Sequence, residues 1–364
     1  MSDLILTDDP WLAVGSLRAN LCRDAAVWTA SPGEGWVLDT NVMRFGLDHE
    51  LPCSDNDLDQ RILAVERFGE GYAALGTEGP GPVRSTLWLS DDGSSWGVYD
   101  GADRGLDGVA YGLSERDGLL VAAGTALDGA VPRVWWSMDG ERWQGADLPG
   151  VDAPATAAMG ITATSDGFVA VGSRDLEGDT DPVVWTSPDG RAWQRAQEQG
   201  LAEPGDQNIF DVVEAATGLM AVGTSALDDD WDAAVWTSET GRRWQRVPHD
   251  EAVLGGSGIV TMSSVASDGS TLIAVGGEGV PRTTTKVGSS RPRIWTSADG
   301  LSWDSIALDE ALGSEPVIGL YRVFVLGDRL LLLGSRGSGA PDTIQDDVSV
   351  LWEGSLDAVL GPSP

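Results

Sequence analysis

Basic charge is what this chain most lacks. Lys and Arg total 23 against 57 Asp and Glu, a formal net charge of −34, and Lys286 is the single lysine. A surface this acidic repels phosphate backbones, so no nucleic-acid partner is expected, and anionic membrane surfaces are disfavoured for the same reason. Long apolar runs are missing too. The LLLLG stretch ending at Gly334 falls far short of the ~20 residues that span a bilayer, so no membrane insertion is expected. The opening MSDLILTDDPW has neither a basic n-region nor an apolar h-region and reads as no secretory signal, leaving the compartment as cytoplasmic or that of an exported parent. Cysteine is limited to Cys22 and Cys53, which predict either a disulfide closing a ~30-residue loop in an oxidising compartment or two isolated thiols. Histidine is limited to His49 and His249, and neither sits in a His-Glu-x-x-His pattern. A Gly-x-Ser-x-Gly elbow and a Walker-type phosphate loop are also missing. The catalytic inventory is thin.

Glycine and tryptophan are what the chain has instead: 48 Gly, and 16 Trp against only 4 Tyr. The rings are periodic. Pairs eight residues apart stand at Trp28/Trp36, Trp88/Trp96, Trp135/Trp143, Trp185/Trp193, Trp236/Trp244 and Trp295/Trp303, and a degraded seventh copy ends at Trp352. Upstream of each lies a second shared piece, GFVAVG at 167–172, with partners at 11–15, 71–76, 118–124, 218–223, 271–276 and 330–334.

Each unit therefore reads as four short strands. An alternating stretch such as GITAT (160–164) makes strand A, and an Asp-Gly turn such as Asp166-Gly167 leads to strand B. A variable loop precedes strand C (PVVWTS), and a Ser-x-Asp-Gly turn leads to strand D, opening at the second Trp. Four antiparallel strands in a ~50-residue unit, seven times over, predict an all-β, seven-bladed β-propeller of four-stranded antiparallel blades. One domain is expected over 1–364, with approximate blades 1–52, 53–104, 105–154, 155–204, 205–254, 255–312 and 313–364, the last weakest at its outer strand.

The Ser-x-Asp-Gly-x-x-Trp turn resembles a shortened form of the Asp-box (BNR repeat) of sialidase-like propellers. Asp92-Gly93, Asp139-Gly140, Asp189-Gly190 and Asp299-Gly300 carry the resemblance, and Thr240 replaces the Asp in unit five. It implies turns at the blade rim that stabilise and do no chemistry. A sialidase-like activity would further imply an arginine cluster, a tyrosine with a glutamate, and an aspartic acid. Tyr321 with Glu315 upstream is the one echo of that set.

With the repeat subtracted, few residues stand out. In a propeller strand A lines the channel, so polar residues where it begins are candidate ligand-binding positions: Arg61, Asp107, Asp211 and the pair Tyr321-Arg322. Trp231 is a sixth, placed in a B–C loop among carboxylates, where a ring stacks on a sugar or a partner or packs locally. Trp136 is the other ring outside the repeat. Unit six carries a basic loop with Arg282, Lys286, Arg291 and Arg293, which holds an anion or offsets nearby acids. Asp175, Glu177, Asp179 and Asp181 alternate, as do Asp228, Asp230 and Asp232, in the oxygen-rich spacing of calcium loops, but without their distal Glu. No cofactor or metal is otherwise expected, and no residue is named as catalytic. The leading expectation is a non-catalytic binding or scaffold propeller whose loop face holds a protein partner or a carbohydrate. The alternative is a glycan-active hydrolase resembling the Asp-box enzymes; other glycosidase schemes need only two suitably spaced carboxyls.

Overall fold

The computed structural model describes residues 2–6, 10–19, 22–31, 34–38, 60–79, 84–127, 131–150, 157–176, 178–227, 230–256, 258–279, 290–307, 317–336 and 348–356. His49, Cys53, Glu177, Asp228, Arg282, Lys286, Glu315 and the Cys22 side chain lie outside the described residues. The fold is the all-β, seven-bladed propeller that the repeat predicts. Six antiparallel sheets have four strands in sequential order, and the seventh has three among the described residues. The chain gathers into two compact units, 1–170 with 186–195, and 171–185 with 196–364, the division falling within the fourth sheet. Among the described residues no helix is long and apolar enough to cross a membrane.

In the first unit, the second sheet runs Gln60–Phe68, Gly71–Glu78, Arg84–Ser90, Gly97–Asp100, and the third runs Gly108–Arg116, Leu119–Ala126, Pro132–Ser137, Gln144–Asp147. Strand B is apolar on both faces: Leu120, Val121, Ala122 and Ala123 are all fully buried. Such a run belongs to a sheet covered on both sides, and these strands pack into clusters that join neighbouring sheets around Trp88 and Trp135. In the second unit, the fifth sheet runs Gln207–Ala215, Gly218–Leu227, Asp230–Ser238, Gln245–Arg246, the sixth Ile259–Ser267, Leu272–Gly279, Ser290–Ser297, Asp304–Ala307, and the seventh Val317–Leu326, Arg329–Arg336, Val348–Ser355. Its core is built the same way, around Met220, Val222, Val235, Met262 and Trp295.

The two tryptophans of each repeat do different work. In the fifth and sixth blades the first is buried in strand C, and its indole N–H reaches back to the chain entering the blade. Trp236 donates to the Leu201 carbonyl at 3.1 Å and Trp295 to that of Val253 at 2.9 Å. Truncating such a ring to Ala costs about 3–5 kcal/mol. The second does not open strand D, as the sequence suggests, but precedes it. In the second to sixth blades its indole donates to the carbonyl of the turn glycine, 2.8 Å from Trp244 to Gly241 and 3.1 Å from Trp193 to Gly190, which holds the ring over the turn and delays the ladder by a residue.

The repeated glycine of strand B has a local cause. Strand A carries a β-bulge opposite it, with Phe210 the extra residue between Ile209 and Asp211. The bulge pushes the Asn208 carbonyl to 1.8 Å from where a Cβ on Gly223 would sit, and Gly76, Gly124 and Gly276 meet the same carbonyl in their own blades. Only glycine admits that approach. The bulge also turns the next residue, Asp211, toward the neighbouring blade.

Candidate functional site

Three arrangements bring chemistry-bearing side chains together, and they differ in how much of their hydrogen-bonding capacity the fold already uses. The first is the bulge row of the second unit. Asp211 is buried; its Oδ2 accepts the Ser264 hydroxyl at 2.8 Å and the Val265 amide at 3.1 Å, and its Oδ1 accepts its neighbour's amide, that of Val212, at 2.9 Å. Arg322 approaches the same carboxylate at 3.7 Å, and Ser264 in turn accepts the Val323 amide at 3.4 Å. Two of the sequence-derived candidates, Asp211 and Arg322, therefore meet. Tyr321 is the bulge residue of its blade, half-buried, between Leu320 and Arg322. Asp3 holds the equivalent place in the first blade, accepting the Val65 amide at 3.0 Å. The row reads as a latch between blades.

The other candidates are separate. Asp107 accepts the Trp135 indole and the Arg133 guanidinium, both at 2.7 Å, so both of its oxygens anchor strand C of the third blade. Arg61 is half-buried on strand A of the second blade, opposite Thr77. Trp231 lies inside strand C rather than in a B–C loop, opposite Ala226 and half-buried, because strands B and C pair out to Leu227 and Asp230. Of the basic loop, Arg293 donates to the Gly255 carbonyl at 2.8 Å and lies over the Trp295 ring, while Arg291 is exposed. Trp136 is covered by the Arg191 guanidinium, 4.4 Å from its centroid. Among the acidic stretches, Asp175 accepts the Gly178 amide and Asp181 pairs with Arg174 at 3.5 Å. Burial pushes the Asp181 carboxyl up, against the pull of Arg174.

The second arrangement is a groove of about 980 Å³, wholly within the second unit. Its walls are the segment Gln197–Gly200 entering the fifth blade, that blade's C–D turn with Thr237, Glu239, Arg243 and Gln245, and the neighbouring turn at Asp299 and Leu301. Gly200 makes the shape. At φ +86° it passes so close to Trp244 that a Cβ would lie 2.1 Å from the Trp244 carbonyl, and the Gln197 amide bonds to Arg242 at 3.0 Å. The side chains of Gln197, Glu239, Arg243 and Gln245 hydrogen-bond to no other described residue. Leu301, exposed, supplies an apolar edge. Gln197, Glu239, Arg243, Gln245 and Leu301 do not stand out in the sequence. The one signal is the glutamine spacing of WQRAQEQG, in which Gln197 and Gln199 alternate.

The third is a carboxyl pair in the first unit. Glu66, on strand A of the second blade, is pushed up from 4.5 to about 8, first by burial and then by the charges of Asp3 and Glu115. Its Oε1 accepts the Arg67 amide at 3.2 Å. Glu66 is thus a carboxylic acid near neutrality beside an Asp.

No protein-family model and no curated protein sequence matches the chain. Among solved structures it is similar to a proposed 6-phosphogluconolactonase from Bacteroides uniformis, at TM-score 0.53 and 12% identity, covering 95% of this chain and 100% of that one. A protein of unknown function from Dyadobacter fermentans aligns at TM-score 0.49 and 14% identity over 83% of this chain and 96% of that one. A GH43 endo-arabinanase from Bacillus licheniformis aligns at TM-score 0.38 and 13% identity over 69% and 94%. The likeness to the first extends to the fold and no further.

Proposed function

We propose that the chain is a non-catalytic binding propeller that holds a carbohydrate in the groove beside the C–D turn of the fifth blade. The observation that carries this reading is the set of uncommitted amide, carboxylate and guanidinium groups of Gln197, Glu239, Arg243 and Gln245 around one concavity with an apolar edge at Leu301. Hydroxyl-rich ligands need donors and acceptors in that mixture, and their C–H faces need a small apolar surface. The bulge row supports it by contrast, because its polar atoms are already engaged with one another. Kinship with the Asp-box propellers belongs to the same proposal, and what supports it is the Ser-x-Asp-Gly turn with its capping Trp. The test is a glycan panel followed by calorimetry. Gln245→Ala and Gln197→Ala should each weaken a panel hit by about tenfold without changing the melting temperature. A panel without a hit, or a hit indifferent to both variants, rejects the groove.

One observation favours a second reading, a glycan hydrolase. Glycoside hydrolysis takes a carboxyl that keeps its proton near neutrality as its proton donor, and Glu66 is such a group. Release of reducing ends from a panel glycan by the wild type, lost in Glu66→Gln, would select it over the binder.

A further inference from the structure

Three donor side chains of the second unit converge away from the groove. Asp232 is the third residue of strand C in the fifth blade, while His249 and Glu251 lie on the segment that leaves strand D of the same blade. That segment is tied down at both ends. Val247 donates to Val235 at 2.9 Å, Ala233 donates to Leu254 at 3.1 Å, and the Val247 and Leu254 side chains are buried. Within it the Asp250 carboxylate accepts the Ala252 amide at 3.0 Å, which closes a tight turn beneath His249 and Glu251.

The result is a fixed triangle. His249 Nε2 lies 3.4 Å from Asp232 Oδ2 and 3.1 Å from Glu251 Oε2, and the three donor atoms all fall within 4.8 Å of one another. Ligands about 2.05 Å from a tetrahedral zinc ion stand about 3.3 Å apart, so the two measured edges match the edges of a zinc coordination tetrahedron. A second observation comes from Asp232 itself, whose side chain is 15% exposed: beside the Oδ2 that faces His249, its Oδ1 is buried and has no hydrogen-bond partner among the described residues. A buried carboxylate oxygen left unpaired costs free energy, which a cation shared between the two oxygens would recover. The donor set, one imidazole nitrogen and two carboxylate oxygens, suits a borderline divalent ion better than calcium, which prefers an all-oxygen shell.

We propose that Asp232, His249 and Glu251 form a divalent transition-metal site with zinc as its natural fit, leaving a fourth position for water or for an outside ligand. Of the calcium spacing in the sequence, Asp230 and Asp232 lie on one strand; the proposed site instead takes one residue of that strand and two from the segment that follows strand D. It stands apart from the groove, at the opposite end of strand C, and does not depend on the carbohydrate reading.

The experiment is a zinc titration of the full chain after chelator treatment, read by competition with a chromophoric chelator. The expected result is one equivalent of zinc bound, weakened about 100-fold or more in His249→Asn and in Asp232→Asn, with melting temperatures in chelator equal to the wild type's. A Glu239→Gln variant in the groove should bind zinc normally. No saturable uptake by the wild type, or uptake that survives both His249→Asn and Asp232→Asn, overturns the site.

Discussion

Asp211 and Ser264, 53 residues apart, meet across two blades, the hydroxyl donating to Oδ2 at 2.8 Å in a buried setting. The same oxygen takes the Val265 amide and faces Arg322, so one carboxylate joins three consecutive blades of the second unit. Removing it takes the shared acceptor from a buried hydroxyl and a buried amide together. Asp211→Ala should lower unfolding free energy by about 2–4 kcal/mol, measured in urea, whereas Ser264→Ala should cost about 1 kcal/mol. Equal, small losses in both would mean that the latch is ornamental.

The bulge predicts a second asymmetry. Gly223→Ala places a methyl 1.8 Å from the Asn208 carbonyl, backbone that yields only if the bulge opens, while a methyl on Gly354 would meet nothing within 4 Å. The first substitution should destabilise by about 2–3 kcal/mol and the second by under about 0.5 kcal/mol. A tolerated Gly223→Ala would show that strand A slides freely past strand B.

The architecture is legible in the sequence because it is written in repeats. Trp pairs, Asp-Gly turns and AVG runs are local patterns, and each survives with its physical cause attached, the indole cap, the amide-accepting Asp and the glycine facing a carbonyl. Asp211 and Arg322 are legible as polar residues on strand A, but their meeting is not, since the bulge that turns Asp211 toward the next blade leaves no trace in the alternation. Asp107 is legible as a polar residue where strand A begins, but not as the acceptor for Trp135. Trp231 has the surroundings of a loop residue, yet the length of the B–C hairpin is set by pairing rather than composition. The groove is invisible for a different reason: Gln197, Gln245 and Arg243 are ordinary surface residues until Gly200 brings two segments together. His249 belongs to no sequence motif, because its companion Asp232 lies 17 positions earlier, across a strand pairing that spacing rules do not see.

Glu66 gives the fold a pH dependence of defined sign. Its native pKa, about 8, lies above the ordinary 4.5, so between those values the native state keeps a proton that the unfolded chain has released. The stabilisation this carries is full below about pH 4.5, falls as pH rises through the window, and is gone above about pH 8. Glu66→Gln removes the titrating group. Its melting temperature should exceed the wild type's by at least about 3 °C at pH 8 and match it near pH 5. A difference that is the same at both pH values would place the effect in packing rather than in the proton.

The fifth blade supplies the last test, because its turn departs from the pattern at a single position, Thr240. In the fourth blade Asp189 Oδ1 accepts the Arg191 and Ala192 amides at 3.0 and 2.9 Å, and those amides hold its carboxyl below the usual range. Asp92, Asp139 and Asp299 do the same in their own turns. In the fifth blade Thr240 stands at that position, while Gly241 still donates to the Ser238 hydroxyl at 2.9 Å and Trp244 still caps the turn. The frame is intact and only the acceptor is missing, so Thr240→Asp should let the Arg242 and Arg243 amides find a carboxylate, with two arginines nearby to favour its charge. The expected gain is about 0.5–1 kcal/mol in urea unfolding, and Asp189→Thr should lose a comparable amount. Thr240 also lines the groove, so the same variant reads on binding. If Thr240→Asp stabilises the fold yet weakens a glycan hit, the threonine at this position of the turn is explained by the ligand rather than by the fold.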